Sequence, residues 1–200
     1  MTAQFWDDRY ATIGGSAVSW FQSSPDMSLR LIGVVPGSAA IVDVGGGASQ
    51  LAAELQRSGH SDVTVVDLSA EATGQGLAHA LKPHDISCIV TDIRDWQPQR
   101  TFDVWHDRAA YHFLTEPSDQ RDYWKKVRDH VAIGGRVVMA TFAEDGPEMC
   151  SGLPVIRYSP EELEVAMGDG FAVTHSERQI HITPTGGEQK FIWIVAERTG

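Results

Sequence analysis

The sequence is short of cysteine, of long apolar runs and of positive charge. Its two cysteines, Cys88 and Cys150, show neither a zinc-ligand spacing nor a disulfide framework. No apolar run approaches the roughly 20 residues that cross a bilayer, and the polar, acidic N-terminus is unlike a signal peptide. The formal net charge of -11 repels nucleic-acid phosphates. We therefore expect a cytoplasmic protein with no metal site and no membrane or nucleic-acid partner.

Length and composition predict one globular domain. The 200 residues, of which 42% are hydrophobic and 22% charged, are enough to bury a core without disulfides or metals. We expect residues 1–200 to form a single domain in which residues 1–35 make an N-terminal helix and lid region. We expect a monomer or a homodimer.

The most informative stretch is an apolar run that ends in an acid and breaks into glycines. Residues 40–49 read AIVDVGGGAS, and apolar residues at helical spacing follow, which predicts a strand, a glycine loop and a helix. Glycines let such a loop turn sharply and approach a ligand closely. The dinucleotide pattern G-x-G-x-x-G is broken, because its third glycine falls on Gln50. The residues that remain as a candidate ligand loop are Asp43, Gly45, Gly46 and Gly47.

Acids also follow the next two predicted strands. Asp67 ends the second apolar run, where a carboxylate can accept hydrogen bonds from both hydroxyls of a ribose. Leu68 follows it directly. The third predicted strand is followed by Asp92 and Ile93, a carboxylate and an apolar side chain that suit the amino group and the ring of an adenine. These strand ends predict a nucleoside site.

The order of predicted elements indicates the fold. Five strands alternate with helices, and a capping box at Ser159 opens the last helix. Two strands, 171–179 and 191–196, then follow with turn residues rather than a helix between them, which makes them antiparallel. We expect an α/β, Rossmann-like fold with a mostly parallel seven-stranded sheet, helices on both faces and a C-terminal antiparallel hairpin.

Together these features resemble the class I, S-adenosylmethionine (SAM)-dependent methyltransferases, and in particular the small bacterial proteins described only as methyltransferase-domain proteins. The resemblance covers about Met1 to Ala196. It implies SAM as cofactor and S-adenosylhomocysteine (SAH) as its product. The implied cofactor residues are Trp6, Arg9, Tyr10 and Trp20 as an N-terminal lid, the loop residues Asp43, Gly45, Gly46 and Gly47, the strand-end residues Asp67, Leu68, Asp92 and Ile93, and His106 beside the cofactor.

The acceptor side is expected at the N-terminal aromatic residues, the loop 106–113 after the fourth strand, predicted at 102–106, and the irregular segment 143–158. Methyl transfer is an in-line displacement that depends chiefly on alignment, so a catalytic base is optional. If a base is used, the carboxylate of Asp107 can orient the imidazole of His106 and raise its basicity. The catalytic candidates are His106, Asp107 and His112, and the substrate candidates are Tyr111, Arg157 and Tyr158. We expect a small-molecule acceptor with a thiol, amine, hydroxyl or carboxylate group.

Three alternatives remain. The seven-strand protein-lysine methyltransferases have Asp-Lys-Gly-Thr after the fourth strand. This chain reads Asp107-Arg108-Ala109-Ala110 there, without the Lys, Gly and Thr, which disfavours a protein-lysine substrate. A short-chain dehydrogenase needs a Tyr-x-x-x-Lys pair, which the sequence does not contain. A SAM-binding regulatory protein without turnover keeps all the cofactor acids and stays open.

Overall fold

The computed structural model describes residues 2–200, which form a seven-stranded sheet flanked by helices. The strands are β1 (Ala40–Val44), β2 (Asp62–Asp67), β3 (Ile86–Val90), β4 (Phe102–Arg108), β5 (Val131–Phe142), β6 (Met149–Cys150), β7 (Leu153–Pro154), β8 (Phe171–Ile182) and β9 (Glu188–Arg198). The helices are α1 (Ala3–Ile13), α2 (Asp26–Ile32), α3 (Leu51–Arg57), α4 (Ala70–Leu77), α5 (Pro117–His130) and α6 (Pro160–Met167).

The sheet has the strand order β3-β2-β1-β4-β5-β9-β8. Strands β1 to β5 run parallel to one another, whereas β9 pairs antiparallel with both β5 and β8. This confirms the predicted Rossmann-like sheet and its closing hairpin. The strand order reverses between β1 and β4, which lie side by side in the middle of the sheet.

Helices cover both faces of the sheet, because successive strand residues point to opposite sides. On one face, α2 and α3 pack against residues such as Ile41 and Val104. On the other face, α5 and α6 cover Val42 and Trp105. Burying each large apolar side chain contributes about 1.5–3 kcal/mol. The same alternation decides which side of the sheet each site residue faces.

Two boundaries differ from the predicted ones in ways that affect the site. Strand β4 does not end at His106 but continues through Arg108, because Arg108 still pairs with Ala140 of β5. The segment 143–158 is not wholly irregular, since it contains the short hairpin of β6 and β7. Pairing with a neighbouring strand extends both elements beyond what their own sequence patterns indicate.

The capping box at Ser159 is present, with Ser159 and Glu162 each bonding to the other's backbone. Within residues 2–200, none of the helices has the length and apolar character of a membrane span.

Candidate active site

A cleft opens at the carboxyl ends of the parallel strands, at the point where the strand order reverses. We call it the main cleft. The empty space in it is about 790 Å³ with the space open to solvent included. It is lined by Trp6, Tyr10, Trp20, Val44, Gly45, Val66, Asp67, Leu68, Thr91, Asp92, Ile93, Arg108, Ala109, Ala110, Phe113, Leu114 and Cys150. Ligands of open α/β sheets bind in this kind of crevice.

The glycine loop leaves β1 at the floor of the main cleft. Gly45 has a φ of 71°, and a Cβ added there would lie 2.7 Å from the Cβ of Ala110. Ala109 also has a positive φ, of 68°, so the chain turns sharply after β4 and brings Ala110 over the glycine. Only glycine fits this close approach, which keeps the bottom of the cleft open.

Asp67 stands at the end of β2 and lines the cleft. Its carboxylate accepts hydrogen bonds from the backbone N–H groups of Gly47, at 2.9 Å, and Ser69, at 2.8 Å. Burial raises its pKa to about 6, although these two bonds oppose the shift. Asp67 is therefore mostly ionised at neutral pH and keeps acceptor capacity for a bound ligand.

Asp92 and Ile93 follow β3 on the same side of the main cleft. Arg94 holds the Asp92 carboxylate with two bonds, of 2.6 and 3.0 Å. Burial opposes ionisation of Asp92, but the hydrogen bonds from Arg94 keep its pKa below the ordinary value. We call the part of the cleft that carries Asp67 and Asp92 the acid end.

A second cavity adjoins the main cleft and holds a buried hydrogen-bonded series. Asp43 and His106 are direct neighbours in the register of β1 and β4. Asp43 Oδ1 lies 2.7 Å from His106 Nδ1, and His106 Nε2 lies 2.9 Å from Ser28 Oγ. Asp43 Oδ2 has no hydrogen-bond partner among residues 2–200. A buried carboxylate oxygen left in this state suits a cationic ligand group. Asp43, Gly45, Gly46, His106 and Arg108 all line this cavity.

Aromatic residues of the N-terminal region cover the cleft. The Trp6 ring lies 5.7 Å from that of Trp20 and 5.5 Å from that of Phe113, in edge-on contacts. Helix α1 is fixed to the start of α4, because Asp7 accepts hydrogen bonds from the Ser69 hydroxyl and the Glu71 N–H. The predicted lid residues Trp6, Tyr10 and Trp20 therefore line the cleft, while Arg9 lies beside it with its guanidinium 5.8 Å from the Trp20 ring.

Arg108 lines both cavities, and the sequence predicted only the loop 106–113 that contains it, not this residue in particular. It is the last residue of β4 and lies near the buried thiol of Cys150. We call this region the arginine end of the cleft. The alternation of β4 offers a signal for it, because Arg108 lies two residues beyond His106 on the same side of the sheet. Ala109, Ala110 and Phe113 line the cleft from the predicted loop 106–113, and Cys150 lines it from the predicted segment 143–158, whereas Thr91 and Leu114 were not predicted.

The expectation that Asp107 orients His106 is wrong. The two residues are consecutive on β4 and point to opposite faces of the sheet. The Asp107 carboxylate accepts a bond of 2.6 Å from the Tyr123 hydroxyl and further bonds from the N–H groups of Ala110 and Tyr111. Asp107 is fully buried and fixes the turn after β4, while Asp43 is the carboxylate that holds His106.

His112 is also placed away from the cavities. Its ring packs between Phe113 and Phe142, with centroid distances of 4.6 and 4.8 Å. Burial and the positive charge of Arg108 lower its pKa to about 3, so the imidazole is neutral. In this arrangement it is out of reach of a ligand in the main cleft, and the geometry does not favour it as a base.

The three substrate candidates lie outside both cavities. Tyr111 and Tyr158 are buried and stacked on each other, with ring centroids 5.5 Å apart. Arg157 forms an ion pair of 3.1 Å with Glu148 inside the segment 143–158. Tertiary packing, which the sequence pattern does not reveal, occupies the two tyrosines, and the local ion pair occupies Arg157.

The comparisons with known proteins agree with this geometry. Residues 41–135 match the family model of the methyltransferase domain. No protein of curated function matches the sequence. Solved structures match over most of the chain at low identity, which shows a shared fold.

Three of these structures illustrate the likeness. A protein solved in work on the conversion of a disulfide bond into a thioacetal group during echinomycin biosynthesis is 16% identical, with a TM-score of 0.75 over 98% of this chain and 91% of its own. DhpI in complex with SAM and HEP is 17% identical, with a TM-score of 0.72 over 97% and 94%. The N-methyltransferase NodS from Bradyrhizobium japonicum WM9 is 16% identical, with a TM-score of 0.70 over 88% and 94%.

The chain therefore contains a methyltransferase domain on the class I, Rossmann-like fold. The match to the methyltransferase domain and the shared fold support a SAM-dependent methyltransferase, with SAM as its cofactor.

Proposed function

We propose that the protein transfers the methyl group of SAM to a small-molecule acceptor bound in the main cleft. The observation that carries this proposal is the aromatic cover of the cleft. Trp6 contacts both Trp20 and Phe113 above a floor made by the glycine loop and the turn after β4. An acceptor that enters a cleft covered in this way is more readily a small molecule than a segment of a folded macromolecule.

The residues of the two cavities fit SAM. Asp67 offers carboxylate oxygens to the ribose hydroxyls, and Asp92 with Ile93 offers a carboxylate and an apolar surface to the adenine. The unpartnered Oδ2 of Asp43 fits the cofactor's ammonium group. Gly45 leaves the floor free of side-chain atoms. In this arrangement the nucleoside occupies the acid end, and the amino-acid part extends toward the second cavity.

When bound, SAM supplies a methyl group on a sulfonium, whose departing sulfur needs no proton. The protein's own contribution is then to align the acceptor and to exclude water, and alignment is worth roughly 7–11 kcal/mol of the barrier. Neither His106 nor Cys150 is poised as a general base. Both imidazole nitrogens of His106 are engaged, and burial raises the pKa of the Cys150 thiol to about 11. Acceptors that ionise easily, such as thiols, therefore suit this site best.

Product-detecting turnover tests the proposal. Purified protein is incubated with SAM and a panel of small thiols, amines, phenols and carboxylates, and SAH and methylated products are measured by mass spectrometry. We expect SAH to form only with certain small acceptors, and Asp67→Asn to lower the rate at subsaturating SAM. Methyl incorporation into a protein lysate that exceeds incorporation into the small-molecule fraction would overturn the proposal. SAM binding without turnover in any fraction would favour a regulatory protein.

A further inference from the structure

The guanidinium of Arg108 has one occupied edge, one covered face and one free edge. Its Nη1 donates a hydrogen bond of 2.9 Å to the backbone carbonyl of Trp20. Its Cζ lies 4.9 Å from the centroid of the Phe191 ring, in a cation–π contact. Its Nε and Nη2 are shielded from bulk solvent and have no hydrogen-bond partner among residues 2–200. The side chain is thus positioned on two sides and unsatisfied on the third.

The free edge has the geometry of an anion receptor. The N–H bonds of Nε and Nη2 run parallel, and this pair matches the two oxygens of a carboxylate or of a phosphate-like group. Leaving such buried charged donors without a partner carries a large desolvation cost. Burial lowers the pKa of Arg108 to about 10, so the group still carries its charge at neutral pH. A ligand anion would remove the cost.

Cys150 and Asp43 act on the charge of Arg108, but neither forms a hydrogen bond with its Nε and Nη2 edge among residues 2–200. Arg9 and Arg108 both act on the Cys150 thiol, which places two guanidiniums near the arginine end. Arg9 also has an unpartnered Nε and belongs to α1, which is fixed to the acid end through Asp7. SAM has only one carboxylate, so it cannot pair fully with both guanidiniums. Arg108 belongs to β4, beside the turn at 109–110 that closes over the glycine loop.

We propose that Arg108 is a specificity-determining residue that binds the anionic group of the methyl acceptor, so that the acceptor class is a small organic anion, carboxylate or phosphate-like. The inference rests on the proposed function, because it assigns an acceptor to the same cleft. The aromatic residues around it, Trp6, Trp20 and Phe113, suit an apolar or aromatic body on that anion.

Binding to the SAH-saturated protein tests the inference without turnover. The probes are 3-phenylpropionate and its uncharged amide, 3-phenylpropanamide, measured by calorimetry. We expect the carboxylate to bind roughly 10–100-fold more tightly than the amide, as suits a charge-assisted pair. Arg108→Met should remove that difference. Arg108→Lys, which keeps the charge but loses the planar fork, should retain part of it and serves if the methionine variant does not fold. Arg178→Met, an exposed arginine that pairs with Asp145, is the matched control and should behave as wild type.

Two cofactor probes show whether Arg108 binds the carboxylate of the cofactor or the anionic group of the acceptor. SAH and 5′-methylthioadenosine, which lacks the amino-acid part, should each bind the Arg108 variants within a few-fold of wild type. If Arg108→Met weakens SAH but not 5′-methylthioadenosine, the arginine holds the cofactor's own carboxylate and the inference is overturned. It is equally overturned if the wild type shows no preference for the carboxylate, or if the preference persists in Arg108→Met. Failure of the wild type to bind SAH would instead reject the proposed function, and the inference with it.

Discussion

The two ends of the main cleft differ in charge and in how the chain builds them. The acid end carries Asp67 and Asp92, each at or just after the end of a parallel strand, and both are held by local hydrogen bonds. The arginine end is assembled from distant parts of the chain, since Arg108 bonds to Trp20 and packs on Phe191. The difference gives the cleft a direction: hydroxyl and amino donors suit one end, and an anion suits the other.

The aromatic lid joins the two ends, so its loss should have the largest effect. Trp6 is 8% exposed and contacts Trp20 and Phe113. Replacing a buried tryptophan by alanine costs about 3–5 kcal/mol. We expect Trp6→Ala to lower the free energy of unfolding by that amount in urea denaturation and to weaken SAH binding.

Trp124→Ala provides the matched control for the lid. Trp124 is 2% exposed and lies on α5, away from both cavities. It should lose comparable stability while keeping the SAH affinity of the wild type. Equal SAH affinity in both tryptophan variants would show that the lid does not contribute to the cofactor site.

Removing the central acid of the acid end should have the next largest effect. Asp67→Ala should weaken SAH binding by about 1.5–3 kcal/mol, the scale for hydrogen bonds to a charged group. The same factor should apply to 5′-methylthioadenosine in calorimetry, because the loss concerns the ribose. Asp62→Ala, at the other end of β2, should leave both affinities unchanged. A loss confined to SAH would place Asp67 at the amino-acid part of the cofactor instead.

The acid end was largely predictable from the sequence, and the reason is local. An apolar run followed by an acid marks the end of a buried strand, and parallel strands bring such ends together. The arginine end was not predictable in this way, because β4 reaches Arg108 only through its pairing with β5. The pairing of Asp43 with His106 depends on strand register, and the burial of Tyr111 against Tyr158 depends on tertiary packing.

Acidic pH should weaken cofactor binding at the acid end of the cleft. The folded pKa of Asp67, about 6 because of burial, lies above the ordinary value of about 3.9. Its contribution to stability is therefore present below the unfolded pKa and is lost as pH rises through about 6. Cofactor binding has the opposite dependence, because the ribose requires the carboxylate.

Calorimetry of SAH binding at pH values around the pKa of Asp67 measures this dependence. We expect SAH affinity to fall by up to about 10-fold between pH 6 and pH 5, the limit for one proton. Asp67→Asn should bind more weakly at pH 7 and show a flatter profile. A profile of unchanged steepness in Asp67→Asn would assign the titration to another group, such as Asp107, whose pKa burial also raises to about 6.

The smallest effect should come from the outer acid. The Asp92 carboxylate already forms an ion pair with Arg94, and Ile93 stays in the cleft to contact the adenine when Asp92 is replaced. Asp92→Ala should therefore weaken SAH binding by only about 0.5–1.5 kcal/mol, the net contribution of one ordinary hydrogen bond. Asp95→Ala, an exposed acid three residues further on, is the control and should have no effect. A larger loss for Asp92→Ala than for Asp67→Ala would reverse the ranking of the two acids.

The direction of the cleft is tested most directly by a crystal structure of the SAH complex. We expect the ribose hydroxyls within hydrogen-bonding distance of Asp67, the adenine against Ile93, and the Nε and Nη2 edge of Arg108 not bound by the cofactor. A nucleoside at the arginine end, or the carboxylate of SAH on the free edge of Arg108, would contradict it.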